Sequence, residues 1–220
     1  MIQCPLNKVV VQVETKYHKN FSNMIKRSNI NPGSQVNPAD YVQILGKVIS
    51  VPRVISNRMD YAGFTTKDIY PDDIAIFRYD VIYDFLENPD GDQPLYKNMV
   101  WFKGQEYFMA DIQKIFGVIR AGEIIMVNGY CMIENMSEPS ALILPQHLKT
   151  VIQASSATLT QIGSNLSHLK TIGAQRGDTV YFNPNIVQKY EINGKAFGVL
   201  TQKQILGRKI SSYSDIQSLF

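Results

Sequence analysis

Two apolar runs meeting at Asn193-Gly194, in the stretch Tyr190-Glu191-Ile192-Asn193-Gly194-Lys195-Ala196-Phe197-Gly198-Val199-Leu200, constrain this chain more than any other feature. Asn-Gly between alternating apolar residues predicts a β-hairpin with a type I′ turn. Asparagine and glycine both accept the positive φ that such a turn needs at its two central positions. A second version lies upstream at Val100-Trp101-Phe102-Lys103-Gly104-Gln105-Glu106-Tyr107-Phe108-Met109. Without gaps, Gly104, Tyr107, Ile115 and Gly117 fall on Gly194, Phe197, Ile205 and Gly207. A similar short excursion follows each hairpin, Asp111 to Ile115 and Thr201 to Ile205. The chain reads as one unit built twice.

The order of the remaining features supports that duplication. Val9-Val10-Val11-Gln12-Val13-Glu14 is a short β-branched run and predicts a strand. A long polar loop follows over 15–40, in which Phe21, Met24, Ile25, Ile30 and Val36 are isolated apolar points. Strand character returns at Tyr41 to Val51, an irregular stretch runs from Pro52 to Pro71, and Asp72-Asp73 opens a strand ending at Phe77. Residues 86–97 hold Asn88-Pro89-Asp90-Gly91-Asp92-Gln93-Pro94 and read as an exposed insertion. After Gly117 to Gly122, read as a connector, the series restarts. Asn128 to Glu134 takes the place of the Val9 strand, and Asn135 to Lys149 reads as a loop. Thr150 to Ala154 is matched with Lys47 to Val51, and Ser155 to Gln175 reads as irregular. Asp178 and Phe182 then fall on Asp73 and Phe77. The expected organisation is all-β: a first domain over 1–122, a second over 123–210 and a polar tail over 211–220.

Composition narrows the functional classes. An apolar fraction of 45% and an aromatic fraction of 10% suit a packed core. A net charge of +3 with scattered Lys and Arg gives no basic stripe of the kind that binds nucleic acid. No apolar run approaches the ~20 residues of a transmembrane helix. With two cysteines, Cys4 and Cys131, and no secretory leader read, a reduced cytoplasmic protein without disulfides is expected. His18, His147 and His168 lack metal-ligand spacing. No phosphate-binding glycine loop or nucleophile elbow occurs, so the chain is read as a non-enzyme with neither metal nor cofactor. Asp90-Gly91-Asp92 lacks the rest of a calcium loop, and Arg176-Gly177-Asp178 is read as a turn entering a strand.

The succession Pro5-Leu6, a long loop, Gly46-Lys47-Val48-Ile49-Ser50-Val51, Gly177-Asp178-Thr179-Val180-Tyr181-Phe182 and a hairpin closing on Ile205-Leu206-Gly207 resembles the GroES-type co-chaperonins. The second copy is the more similar, and its Thr201 to Leu206 looks like the family's terminal turn. The resemblance implies two tandem GroES-like β-barrels in a divergent, phage-encoded or otherwise atypical member. It further implies a homo-oligomeric ring that caps a GroEL-type chaperonin in its ATP-bound state and so assists client folding. In that family a loop carrying an aliphatic patch docks on the chaperonin. Here Leu142-Ile143-Leu144 stands in the corresponding place, and Met24-Ile25 is the weaker counterpart in the first copy. The stretches after Pro52 and Ser155 would match the family's roof segment.

Leu142 to Leu144 has a second reading as a short core strand. Pro139 and Pro145 bracket it and argue against a central strand. Two rival functions also remain: a ring or virion structural protein that uses the barrels only for assembly, and an enzyme with a site assembled from scattered residues.

Overall fold

The computed structural model describes residues 4–13, 44–86, 95–138, 140–142, 152–164, 167–192 and 194–209. Contacts divide the chain into two compact units, Met1–Ile124 and Ile125–Phe220. The first unit carries β1 (Lys8–Gln12), β2 (Leu45–Ser50), β3 (Ile74–Phe77), β4 (Phe85–Leu86), β5 (Leu95–Tyr96), β6 (Met99–Phe102), β7 (Gln105–Asp111) and β8 (Ile115–Arg120). The strand β9 (Glu123–Met126) follows. Their sheet has the order β6-β7-β1-β2-β3-β8-β9, while β4 and β5 pair with each other at the two ends of the expected insertion. The second unit contains β10 (Tyr130–Glu134), β11 (Ser140–Leu142), β12 (Ile152–Ile162), a helix α1 (Ser167–Ile172), β13 (Thr179–Phe182), β14 (Gln188–Ile192), β15 (Lys195–Thr201) and β16 (Ile205–Arg208). Its strand order is β14-β15-β10-β12-β13-β16, with β11 attached to β12. The fold is all-β.

Apart from β9, the two orders are the same order, and the registers agree residue by residue. Val10 and Val11 lie opposite Met109 and Phe108, as Met132 and Ile133 lie opposite Val199 and Gly198. Between Val10 and Val11 the pairing with β2 shifts, and the pairing of β10 with β12 shifts between Met132 and Ile133. Phe77 pairs with Ile115 and Phe182 with Ile205, each just past a bulge. A β-bulge adds local twist and re-aims the side chains that follow it. Two matching irregularities, set in matching registers, make the duplication a structural fact and not only a resemblance of short motifs.

Both hairpins form as their sequences require. Phe102 pairs with Gln105, and Lys103 and Gly104 have φ of 51° and 75°. Ile192 pairs with Lys195, leaving a two-residue turn in which Gly194 has φ of 76°; Asn193 lies outside the described residues. Positive φ at both central positions matches the strand twist, which is why such turns close hairpins. The same geometry recurs at Ala121-Gly122 and at Asn128-Gly129. Asn128-Gly129 is therefore a turn before β10 and not the start of that strand. Gly117 to Arg120, expected as a connector, belongs to β8, whose Val118 is fully buried.

Two further expectations are corrected. Ser155 to Gln175 is not irregular: it continues β12 to Ile162 and then forms α1. Ala157 and Leu159 are buried while Ser156, Thr158 and Thr160 are half-exposed, a period-2 pattern written in small polar and β-branched residues. The counterpart of Val48 is consequently Leu159 rather than Val151. Val48 N–H donates to the Asp73 carbonyl at 2.8 Å, and Leu159 N–H donates to the Asp178 carbonyl at 2.9 Å. Nor do the strands close into barrels among the described residues. Closure requires a pairing between the end strands, and β14 pairs with β15 alone while β16 pairs with β13 alone. Lys189 and Glu191 on β14 are exposed charged residues of the kind that keep an edge strand unpaired.

In the second unit the open sheet is covered by α1. Leu169 is buried with Cys131, Ile133, Leu159, Val180, Phe182, Leu200 and Ile205. Each large side chain removed from water contributes roughly 1.5–3 kcal/mol. The helix stops at Gly173, φ 64°, where Gly173 N–H donates to the Lys170 carbonyl and Ala174 N–H to the Leu169 carbonyl. This is a Schellman cap, and Leu169 and Ala174 supply its apolar contact. Among the described residues no helix is long and apolar enough to cross a membrane.

An acidic turn opens the third strand of each copy. The Asp73 carboxylate accepts from Tyr70 N–H at 2.8 Å, and that of Asp178 from Gln175 N–H at 2.9 Å. Asp73 is the more heavily committed, accepting also from Arg120 Nε at 2.8 Å and Nη2 at 2.7 Å. The guanidinium lies 4.4 Å over the Tyr70 ring. Burial alone would raise the Asp73 carboxyl, but Arg120, the Tyr70 amide and the guanidinium charge together hold it below its ordinary value. A depressed native pKa stabilises the fold above the unfolded value of about 4 and loses that contribution as pH falls through the native value. Asp73→Asn should therefore cost about 1–3 kcal/mol at pH 7 in urea unfolding. The gap from wild type should shrink below about pH 4, and a gap independent of pH would contradict the assignment.

The two thiols are free. Cys131 is fully buried, and burial pushes its pKa up to about 12. A maleimide reagent should leave Cys131 unmodified in the native protein at neutral pH and label it in denaturant, as read by peptide mass mapping.

Candidate functional site

Between the first and second strands of the second copy, the chain leaves its sheet and returns. Asn135, with φ of 53°, turns the backbone out of β10. Ser137 then lies against β12: its N–H donates to the Ser156 carbonyl at 2.8 Å, and Ser156 N–H donates to Ser137 Oγ at 2.9 Å. The two hydroxyls stand 3.0 Å apart. Beyond this clasp, Ser140, Ala141 and Leu142 pair with Ala154, Gln153 and Ile152. β12 thus does two jobs. Its later residues join β10 and β13 in the sheet, and its first three join β11 in a two-stranded arm.

Leu142 is the last residue of β11, opposite Ile152. Ile143 and Leu144 lie outside the described residues, as do Met24 and Ile25 between β1 and β2 of the first copy. The expected loop over Asn135 to Lys149 thus contains a strand at its near end, and Pro139 and Pro145 flank that strand without preventing it.

At the root of the arm lies a pocket of about 220 Å³. Its wall includes Met136 and Glu138 from the arm, Ser155 from β12, Phe182 from β13, and Val187 and Lys189 on and before β14. None of these polar residues was singled out from sequence. The readable signal was the alternation through β12, which places Ser155 on the buried side with Ala157 and Leu159. Reading serine and threonine as loop composition hid it.

Acidic and basic side chains elsewhere pair to hold the frame. Glu134 at the end of β10 binds Lys195 beside the second hairpin turn at 2.9 Å. In the first copy Lys8 and Tyr61 both reach Asp111 Oδ2, at 3.3 and 2.8 Å. Ser56 N–H donates to Asn7 Oδ1 at 2.7 Å, so the 52–71 stretch is tied to the start of β1. No group of three metal-ligating side chains gathers among the described residues.

No model of a known protein family matches the chain, and no curated protein matches it.

The clasp gives a direct test of how the arm is held. Ser137→Ala removes one acceptor for the Ser156 amide and should cost about 1 kcal/mol. Amide exchange should rise at Ser156 and the adjoining β11–β12 amides while the β10–β15 amides keep their protection.

Proposed function

We propose that the chain acts as a co-chaperonin, capping an ATP-driven chaperonin through the arm of its second copy. The observation that carries this reading is the arm itself. It leaves a duplicated antiparallel sheet between the first and second strands, where the GroES-like resemblance puts a docking loop, and it leads into Leu142-Ile143-Leu144. Burying three aliphatic side chains in a partner's groove is worth roughly 1.5–3 kcal/mol each, and ordering the contributing segment takes back a few kcal/mol. One arm therefore binds weakly. A ring of chains presents several arms at once, and effective concentration converts weak contacts into avidity that still permits release.

A second reading, assembly into a ring or virion part without a chaperone role, is favoured by the edge of the first sheet. Trp101 on β6 is 63% exposed and Phe102 beside it is 37% exposed. An aromatic edge strand is a surface on which another chain can pair.

The experiment is to mix the full chain with purified GroEL-type chaperonin and to follow complex formation with and without ATP. Co-chaperonin function predicts an ATP-dependent complex that Leu142→Ser with Ile143→Ser abolishes while the melting temperature stays nearly unchanged. Failure to bind any GroEL-type chaperonin, alongside a stable homo-oligomer lost on Trp101→Ser, would favour assembly instead.

A further inference from the structure

We infer that the pocket at the root of the arm binds a small zwitterion, an α-amino acid with a compact apolar side chain. Its lining divides by chemistry. Met136, Phe182 and Val187 form an apolar wall, and a serine, a glutamate and a lysine (Ser155, Glu138 and Lys189) also line the space. Ser155 is 3% exposed, and its hydroxyl has no hydrogen-bond partner among the described residues. Glu138 and Lys189 are both exposed and neither takes part in an ion pair among the described residues. Residues of opposite charge thus line one pocket with no ion pair between them. They match the ammonium and carboxylate of an amino acid, and the serine hydroxyl supplies a donor to the same carboxylate.

The first copy supplies an internal reference for what the fold itself requires. Ser155 pairs with Phe182, and the residue at the matching place beside Phe77 is Ile44, whose carbonyl accepts from Phe77 N–H. Ile44 is buried. Lys189 lies opposite Gly198, and the matching residue opposite Phe108 is Met99. The same sheet therefore accepts an aliphatic side chain and a thioether where the second copy places a hydroxyl and an ammonium. Packing does not demand the polar pair. At about 220 Å³ the space is below the roughly 300–1,000 Å³ of pockets for drug-sized ligands and suits a molecule the size of one amino acid.

The test is a ¹H–¹⁵N shift titration of the full ¹⁵N-labelled chain with L-leucine. Saturable shifts are expected at the amides of Met136, Glu138, Ser155, Phe182, Val187 and Lys189, with a dissociation constant on the order of a millimolar. Lys189→Met, which installs the first copy's residue at an exposed place, should weaken binding by about tenfold or more. Ser155→Ala should act in the same direction. N-acetyl-leucine, which lacks the ammonium, and leucine amide, which lacks the carboxylate, should each bind far more weakly than leucine. Absence of saturable shifts overturns the proposal, as does unchanged affinity in a folded Lys189→Met protein. N-acetyl-leucine binding as tightly as leucine overturns the free amino acid in favour of a peptide C-terminus. None of these readings needs a chaperonin, so their outcome stands apart from that of the proposed function.

Discussion

In each copy an aspartate at the mouth of a turn determines how the second strand meets the third. The carboxylate of Asp73 or Asp178 holds the amide three residues before it, which shapes the turn. The carbonyl of the same residue accepts from Val48 or Leu159, and those residues' carbonyls accept from Asp72 or Gly177. One side chain thus sets the register of two strands, and a slip of one residue would turn every core side chain outward. The bulge that follows, before Phe77 or Phe182, aims a buried phenylalanine of each copy into its core. Arg120 reinforces the first copy's turn from β8 with a bidentate contact, whereas Arg208 of β16 stands 3.8 Å from Asp178. The second copy relies on α1 and its glycine cap instead.

What was legible in the sequence follows from the range of the forces involved. Hairpin turns are local, and Lys103-Gly104 and Asn193-Gly194 were readable because positive φ is a single-residue property. The alignment of Asp178 on Asp73 and of Phe182 on Phe77 holds in the strand registers. The match of Val48 with Val151 does not hold, because β-branched propensity pointed to the wrong strand end while alternation across Ala157 and Leu159 marked the true one. The helix α1 was missed for a related reason. Its six residues are too few for a clear apolar period, and it forms because Leu169 has a core to enter.

The candidate site was legible only at its far end. The Leu142 patch stood out as aliphatic residues in a polar stretch, yet its supports, Ser137 and Ser156, are hydroxyls whose pairing is a tertiary event. The pocket polar groups were equally silent: Ser155 and Lys189 come from distant strands and acquire meaning only beside Ile44 and Met99. A duplicated chain carries its own control, since a residue that differs between equivalent places is one the fold does not dictate.

The edge strand of the first sheet has a spectroscopic consequence. The chain has one tryptophan, Trp101, and it is already largely in water. Its emission reports on β6 of the first unit and starts near the solvent-exposed limit. Global unfolding will move that emission little, and melting of the second unit can pass without a tryptophan signal. A quenching or blue shift of Trp101 under native conditions is instead a sensitive sign that something has covered that edge.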